Sequence, residues 1–256
     1  MTDARVEIRK CQGLDEMRAC VALQKEVWKF GDLDLIPLRM FVVADKIGGQ
    51  VIGGFDANEL VSFALAVPGA RGGRSYLHSQ MLAVRAEYRN AGLGRRMKLS
   101  QREDALARGF ELMEWTFDPL EIKNAYLNIE KLGAIARRYS INQYGITTSP
   151  LHGGLPSDRL IAEWWMKSDR VEKVLGTKAR PKIKPTMSIS VPAQVYAWKE
   201  KPESRSKAWE VQDHNRERFL SAFTQGLAVL GYERDSQRNG KFLLGKWDEK
   251  WSYDPL

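Results

Sequence analysis

The first 166 residues switch repeatedly between two hydrophobic periods. Val6 to Lys10 alternates apolar and charged positions, which predicts a strand with one buried face. Leu14 to Trp28 carries Leu14, Met17, Val21, Gln24 and Trp28 along one stripe, with Asp15 near the start, and predicts a helix. Leu38 to Ile47 predicts a second helix, with Pro37 at its first position and Gly48-Gly49 ending it, although Phe41-Val42-Val43 also suits a strand. Val51 to Phe55 and Leu60 to Val67 read as a hairpin around Asp56-Ala57-Asn58-Glu59. Pro68-Gly69-Ala70-Arg71-Gly72-Gly73 reads as a flexible loop. Strands are then predicted over Tyr76 to Val84, Phe110 to Phe117 and Ala134 to Tyr144. Between them lie helices over Gly94 to Arg108, stopped by Gly109, and Glu121 to Leu132, closed by Gly133. The order is mixed α/β.

After Gly145 the texture changes. Thr147 to Asp158 is rich in Gly, Pro, Ser and Thr and reads as a loop, and Arg159 to Met166 as a seventh strand. Lys178 to Pro185 reads as a linker. Beyond it a strand (Ser188 to Trp198), a long helix (Ala208 to Leu230) and a terminal hairpin (Tyr232 to Trp247) are expected. Phe219, Phe223, Leu227 and Leu230 form that helix's core stripe.

The candidate chemistry lies where the central strand meets its helix. Arg89-Asn90-Ala91-Gly92-Leu93-Gly94 joins the apolar end Leu82-Ala83-Val84 to the helix from Gly94. A strand turning through glycines into a helix presents backbone N–H groups, backed by the positive end of the helix dipole. Gly92 and Gly94 allow close approach of an anion. Arg85, Arg89, Arg95 and Arg96 add positive charge to the same turn. The spacing is neither G-x-G-x-x-G nor a P-loop, because no Gly-Lys-Ser/Thr follows.

This run resembles the acyl-coenzyme A signature of the GNAT acyltransferase superfamily, Gln/Arg-x-x-Gly-x-Gly/Ala, with Ala86 where a proline is common. The resemblance covers roughly residues 5 to 166. It implies a twisted, mostly antiparallel sheet whose fourth and fifth strands run parallel and splay apart to admit the pantetheine arm. The minimal fold has no counterpart for the C-terminal part. Residues 1–170 are therefore expected to form the acyltransferase domain and 171–256 a small α+β extension.

The resemblance also implies roles. Leu82, Ala83 and Val84 would face the pantetheine through their backbone. Arg89, Asn90, Ala91, Gly92, Leu93, Gly94 and Arg95 would hold the pyrophosphate, and Asn124 would approach the cofactor from the next helix. Ile129 stands where the family usually places a tyrosine that protonates the leaving thiolate, with Tyr126, Tyr139, Tyr144 or a water as substitutes. His78 is the expected general base. An imidazole titrates near about pH 6.5, which suits deprotonation of an ammonium nucleophile. Strand alternation puts His78 on one face with Gln80 and Leu82. The arylalkylamine enzymes of the family carry His-x-His here, so His78-Ser79-Gln80 keeps the first histidine and has Gln80 at the second. Glu26 and Glu114 are the next candidates. Cys20, His152 and His214 are set aside as packing or surface residues. Trp28, Phe30, Trp115, Phe117 and Trp164 are expected mostly in the core, some walling the acceptor pocket.

Composition narrows the alternatives. A chain of 256 residues with 43% hydrophobic and 28% charged residues is ordinary for a globular protein. It has no run of about 18 apolar residues and no signal-like N-terminus, so a cytoplasmic protein without membrane attachment is expected. Cys11 and Cys20 lack metal-ligand spacing and read as reduced thiols, and no metal is expected. The net charge of +8 is scattered, with clusters at 85–102 and Lys178 to Lys184. Cofactor phosphates explain it more economically than nucleic acid. The expected activity is acyl transfer, acetyl foremost, from acyl-CoA to a small-molecule amine by direct attack. A non-catalytic acyl-CoA sensor of the same fold and a basic nucleic-acid-associated protein are the alternatives. The extension's apolar content (Trp198, Trp209, Phe219, Phe223, Leu227) predicts packing on the first domain or in a homodimer.

Overall fold

Val61 to Ala66 is apolar at every position except Ser62, the composition of a strand covered on both faces. A computed structural model describes residues 6–146, 149, 153–176 and 183–247. The chain forms two compact units, Met1–Glu114 and Trp115–Leu256.

In the first unit, β1 (Val6–Lys10), β2 (Gln50–Asp56), β3 (Glu59–Arg71) and β4 (Arg74–Val84) pair antiparallel in that order. β5 (Leu112–Phe117), which straddles the division between the units, joins β4 in parallel. On one face, α1 (Gly13–Trp28) and α2 (Leu38–Lys46) pack Met17, Cys20, Leu23, Phe41 and Ala44 against Phe55, Phe63, Leu65 and Ala83. On the other, α3 (Leu93–Ala107) packs Leu93 and Met97 against Val6, Ile52, Val61 and Ala64. The mixed α/β class and the parallel fourth and fifth strands are as expected.

Two local expectations are corrected here. The inward face of α1 is Met17, Cys20, Leu23 and Gln24, while Leu14 is exposed. Periodicity sets the width of an apolar face better than its centre when neighbouring positions are also apolar. Residues 68–71 are not a loop, because β3 runs through Pro68 to Arg71 and pairs with β4 as far as Arg74. Gly72 and Gly73 have φ of 55° and 72°, and two successive left-handed residues make a tight hairpin turn rather than a flexible segment.

The second unit orders its strands β7-β6-β9-β10-β8. They are β6 (Ile135–Ser140), β7 (Arg159–Trp165), β8 (Met187–Val191), β9 (Leu227–Arg234) and β10 (Gly240–Lys246), all paired antiparallel. Its helices are α4 (Ile122–Ala125), continued by a π-helical turn to Lys131, α5 (Asp169–Gly176), α6 (Val195–Glu200) and α7 (Arg205–Thr224). The strand expected to reach Trp198 ends at Val191, just before Pro192, and Trp198 lies on α6. The helix expected to reach Leu230 ends at Thr224. Gly226, with φ 73°, stops it and places Leu227 and Leu230 on β9. Phe219 of α7 stacks on Tyr139 and meets Phe242 edge-on at 5.2 Å, which seats the helix on β6 and β10. Most of the 147–152 loop, His152 included, and most of the 178–185 segment lie outside the described residues. Among the described residues no helix is long and apolar enough to cross a membrane.

Candidate active site

The register between β4 and β5 is two residues long, Leu77 with Met113 and His78 with Glu114. β4 continues to Val84 beyond that register. Arg85 N–H donates to Val61 O on the β3 side. Alternation along an antiparallel strand therefore turns the backbone groups of Ala83 toward β3 and those of Leu82 and Val84 toward the opposite edge. The side chain of Ala83 is fully buried among α1 and α2, so only its backbone is available to a ligand. Val84 O accepts Arg89 Nε at 2.8 Å and keeps a second lone pair.

A 3₁₀ turn over Ala86–Tyr88 leads from β4 into the glycine loop and is tied down by Tyr88 Oη donating to Asp56 Oδ2 at 2.7 Å. Asn90, Ala91 and Gly92 are exposed. Asn90 (φ 64°) and Gly92 (φ 96°) are left-handed, and Gly92 caps α3 without a side-chain hydrogen bond. The two glycines have different causes. Gly92 is required by its own backbone conformation. At Gly94 an added Cβ would touch only Leu82 Cδ2, at an ordinary 3.8 Å. Nothing in the fold forbids a side chain there, so the missing one leaves space over the first turn of α3. That is a cradle a phosphate fits. Leu93, 1% exposed, faces the core and has only its N–H to offer.

The arginine cluster is smaller than its spacing suggests. Arg85 is drawn off to Glu59 and to Glu26 (3.2 Å), and Arg96 donates to Val6 O at 2.7 Å. Arg89, exposed, and Arg95, half-buried, are the two expected phosphate ligands in the loop and first helical turn.

His78 and Gln80 are separated by a β-bulge. Leu65 opposes Met81 and Ala66 opposes Ser79, leaving Gln80 as the inserted residue. Ser79 bonds to Lys98 and Gln101 of α3, and Leu82 packs with Leu93 and Met97 on that same face. Met81 and Ala83 pack on the α1–α2 face. His78, adjacent to Ser79, therefore faces away from α3, with Met81 and Ala83 rather than with Leu82. Simple alternation fails because the bulge adds a residue. His78 is half-buried, and its register partner Glu114 is buried and ion-paired to Arg71 at the end of β3.

The sequence reading missed a polar network under this strand. Lys98, 4% exposed, donates to Ser79 Oγ at 2.8 Å, and Ser79 donates to Gln101 Oε1 at 3.0 Å. Gln101 Nε2 reaches Gln50, and Gln50 Nε2 donates to Asp104, which Lys10 and Arg108 also hold. Burial pushes the Lys98 ammonium well below its ordinary 10.5. The signal was legible: Leu93, Met97, Gln101 and Ala105 repeat every four residues, with polar Gln101 inside an otherwise apolar stripe.

In the second unit, Asn124 is exposed on α4 and Ile129 is fully buried in the π-helical turn. Tyr139 is committed to Asp158 at 2.8 Å, and burial followed by that contact raises its pKa. Tyr144 shares a hydrogen bond with Thr116, and the Tyr126 ring lies under Arg234 at 4.0 Å. Trp115, Phe117 and Trp164 are buried, whereas Trp28 and Phe30 stack half-buried at the end of α1. Cys11 and Cys20 are free, buried and 3.9 Å apart.

Solved structures share the fold. An acetyltransferase from Salmonella typhimurium, solved with acetyl-CoA, matches with TM-score 0.52 and 14% identity over 65% of this chain and 98% of its own. An N-acetyltransferase from Staphylococcus aureus gives 0.51 and 13% over 63% and 99%. The fold is that of the GNAT acetyltransferases. The ribosomal-protein-S18-alanine N-acetyltransferase of Escherichia coli shares this GNAT fold, with TM-score 0.50 and 14% identity over 64% and 97%. No protein-family model and no curated protein matches the sequence.

Proposed function

We propose that residues 1–170 form an acyltransferase domain that transfers an acyl group, acetyl foremost, from coenzyme A to the amine of a small molecule, with 171–256 as an extension. The observation that carries this reading is the pairing of a free β4 edge with Gly94, a glycine that the fold itself does not require. Backbone groups of Leu82 and Val84 would hold the pantetheine amides, and the Asn90-to-Arg95 turn the pyrophosphate. Bound acyl-CoA supplies an activated thioester. His78 takes the proton from the acceptor's ammonium at an imidazole nitrogen, directly or through a water, so that the amine attacks neutral. Gln80, exposed at the bulge, orients the acceptor. Glu114 is the weaker candidate base because Arg71 already neutralises it.

The alternative is a sensor that binds acyl-CoA without turnover. Buried Ile129 supports it, because no hydroxyl stands at the expected general-acid position. Wild-type turnover separates the readings, and variants test the two sites. Gly94→Glu should abolish the rise in thermal stability produced by acetyl-CoA while the free protein keeps its melting temperature. Gly92→Glu is a poorer test, because strain at φ 96° alone would unfold the turn. His78→Gln should lower thiol release with an amine panel by roughly 10²-fold and leave coenzyme A affinity unchanged. A normal acetyl-CoA shift in Gly94→Glu would remove the cofactor assignment. A stable, coenzyme-binding wild type inert toward every amine would leave the sensor.

A further inference from the structure

The second unit contains a cavity of about 1070 Å³ between the start of α4, the end of β8 with α6, and the β9–β10 hairpin. That volume is at the upper end of the range for small-molecule sites. Its walls are fixed by hydrogen bonds. Ile122 N donates to Tyr196 Oη at 3.0 Å, and Ala193 N donates to Asn239 Oδ1 at 2.8 Å, which locks α4 to α6 and the β8 end to the hairpin.

Two features of the lining point to a ligand. The first is charge. Lys123, Arg234, Arg238 and Lys241 line the cavity with only Glu233 and Asp235 opposing them. Glu233 is paired with Lys241 at 3.6 Å, and Asp235 is occupied by the backbone and side chain of Asn239 in its own turn. Lys123, Arg234 and Arg238 are left, more charge than one carboxylate matches and suited to a dianion. The second is Tyr232. It is 1% exposed and lines the cavity, and its Oη has no hydrogen-bond partner. A buried hydroxyl without a partner costs stability. Gly240 makes room for it: a Cβ there would lie 1.8 Å from the oxygen. Ile122, Pro192, Ala193 and the Tyr196 ring supply an apolar surface beside these donors.

We propose that this cavity, carried mostly by the C-terminal extension, is a second ligand site that binds a phosphate monoester with an aromatic or other apolar body. The phosphate lies among Lys123, Arg234 and Arg238, the body rests on Ile122, Pro192 and Tyr196, and Tyr232 Oη donates to a ligand oxygen. None of the residues that line the cavity belongs to the β4–α3 turn, so the proposal stands whether or not acyl transfer does.

The test is titration calorimetry on the full chain with phenyl phosphate, AMP, inorganic phosphate and phenol, each with and without saturating coenzyme A. Phenyl phosphate or AMP should bind at least ten times more tightly than either the phosphate or the phenol alone, and coenzyme A should not displace them. Arg238→Glu, at an exposed turn, should weaken the ester at least tenfold. Tyr232→Phe should weaken it roughly fivefold while the free protein melts no lower, since the orphaned hydroxyl is gone. That combination is not expected of a merely structural tyrosine. Three results overturn the proposal. They are esters that fail to bind, binding unaltered in both variants, and displacement by coenzyme A, which would make the cavity part of the cofactor site.

Discussion

Lys98 in the first unit and Lys199 in the second are equally buried, each 4% exposed, and their protons are held in opposite ways. Lys98 donates to a neutral hydroxyl, Ser79 Oγ, and burial drives its pKa far down. Burial also opposes the charge of Lys199. There, however, Asp118 at 3.2 Å and Glu121 at 2.9 Å outweigh it and raise the pKa. Burial of an ammonium therefore does not by itself say whether it is charged; the chemistry of the acceptor beside it decides. The α3–β4 interface is built so that a charge is disfavoured under the candidate catalytic strand, whereas the α4–α6 region uses a charge as a rivet.

The comparison breaks most readily at Lys199. Lys199→Met leaves the half-buried Asp118 and Glu121 without their cation, and urea unfolding at pH 7 should show a loss of about 3 kcal/mol. A loss below about 1 kcal/mol would mean that the rivet is not charged.

The pH dependence should run in opposite directions. Lys98 has a folded pKa below the ordinary 10.5, so across that interval the unfolded chain binds more protons and stability rises with pH, levelling off above 10.5. Lys199 has a folded pKa above 10.5, so its contribution is whole below 10.5 and is lost as pH climbs past it. Burial pushes Asp118 up, but Lys199 and Arg159 outweigh that and hold it below 3.8. Its contribution is therefore lost as pH falls through that region. Relative to Lys98→Met, the wild type should gain stability from pH 7 to 10. Parallel curves would show that Lys98 carries the same protonation in the folded and unfolded chains, so that burial does not lower its pKa.

The smallest effect is expected for Lys98→Met at pH 9. A volume-conserving apolar replacement removes an ammonium that burial already disfavours, and Ser79 keeps Gln101. Stability should change by no more than about 1.5 kcal/mol. A loss matching Lys199→Met would erase the distinction between the two lysines.

Much of the first unit was legible because its strands and helices carry clean periods. The β4–turn–α3 segment was legible as strand, glycine turn and helix, because Gly92 and Gly94 stand between two periodic runs. Polar groups buried by tertiary contact were legible only in part. Gln101 falls in the stripe of Leu93, Met97 and Ala105, but Lys98 lies beside that stripe and looks solvated in an arginine-rich helix until β4 is laid against it. The arginine cluster erred the other way, because Glu26, Glu59 and Val6 O, which claim two of its members, are remote in sequence. Past residue 186 the periods of α7 and β9 ran together, as Phe219, Phe223, Leu227 and Leu230 fit one helix until Gly226 is recognised as a left-handed stop.

The bulge at Gln80 has a genetic consequence. It amounts to a one-codon insertion held inside a strand, so the two halves of β4 are out of phase. Upstream, odd-numbered Ser79 looks toward α3; downstream, even-numbered Leu82 does. A substitution scan that counts in twos from Val84 will therefore invert inside and outside at every position before Gln80. Deleting that single codon would close the bulge and leave the faces as they are, with Ser79 still opposite Ala66 toward α3 and His78 still facing away. Homologous strands that lack the extra residue would carry the residue on the face of His78 one position nearer the glycine turn.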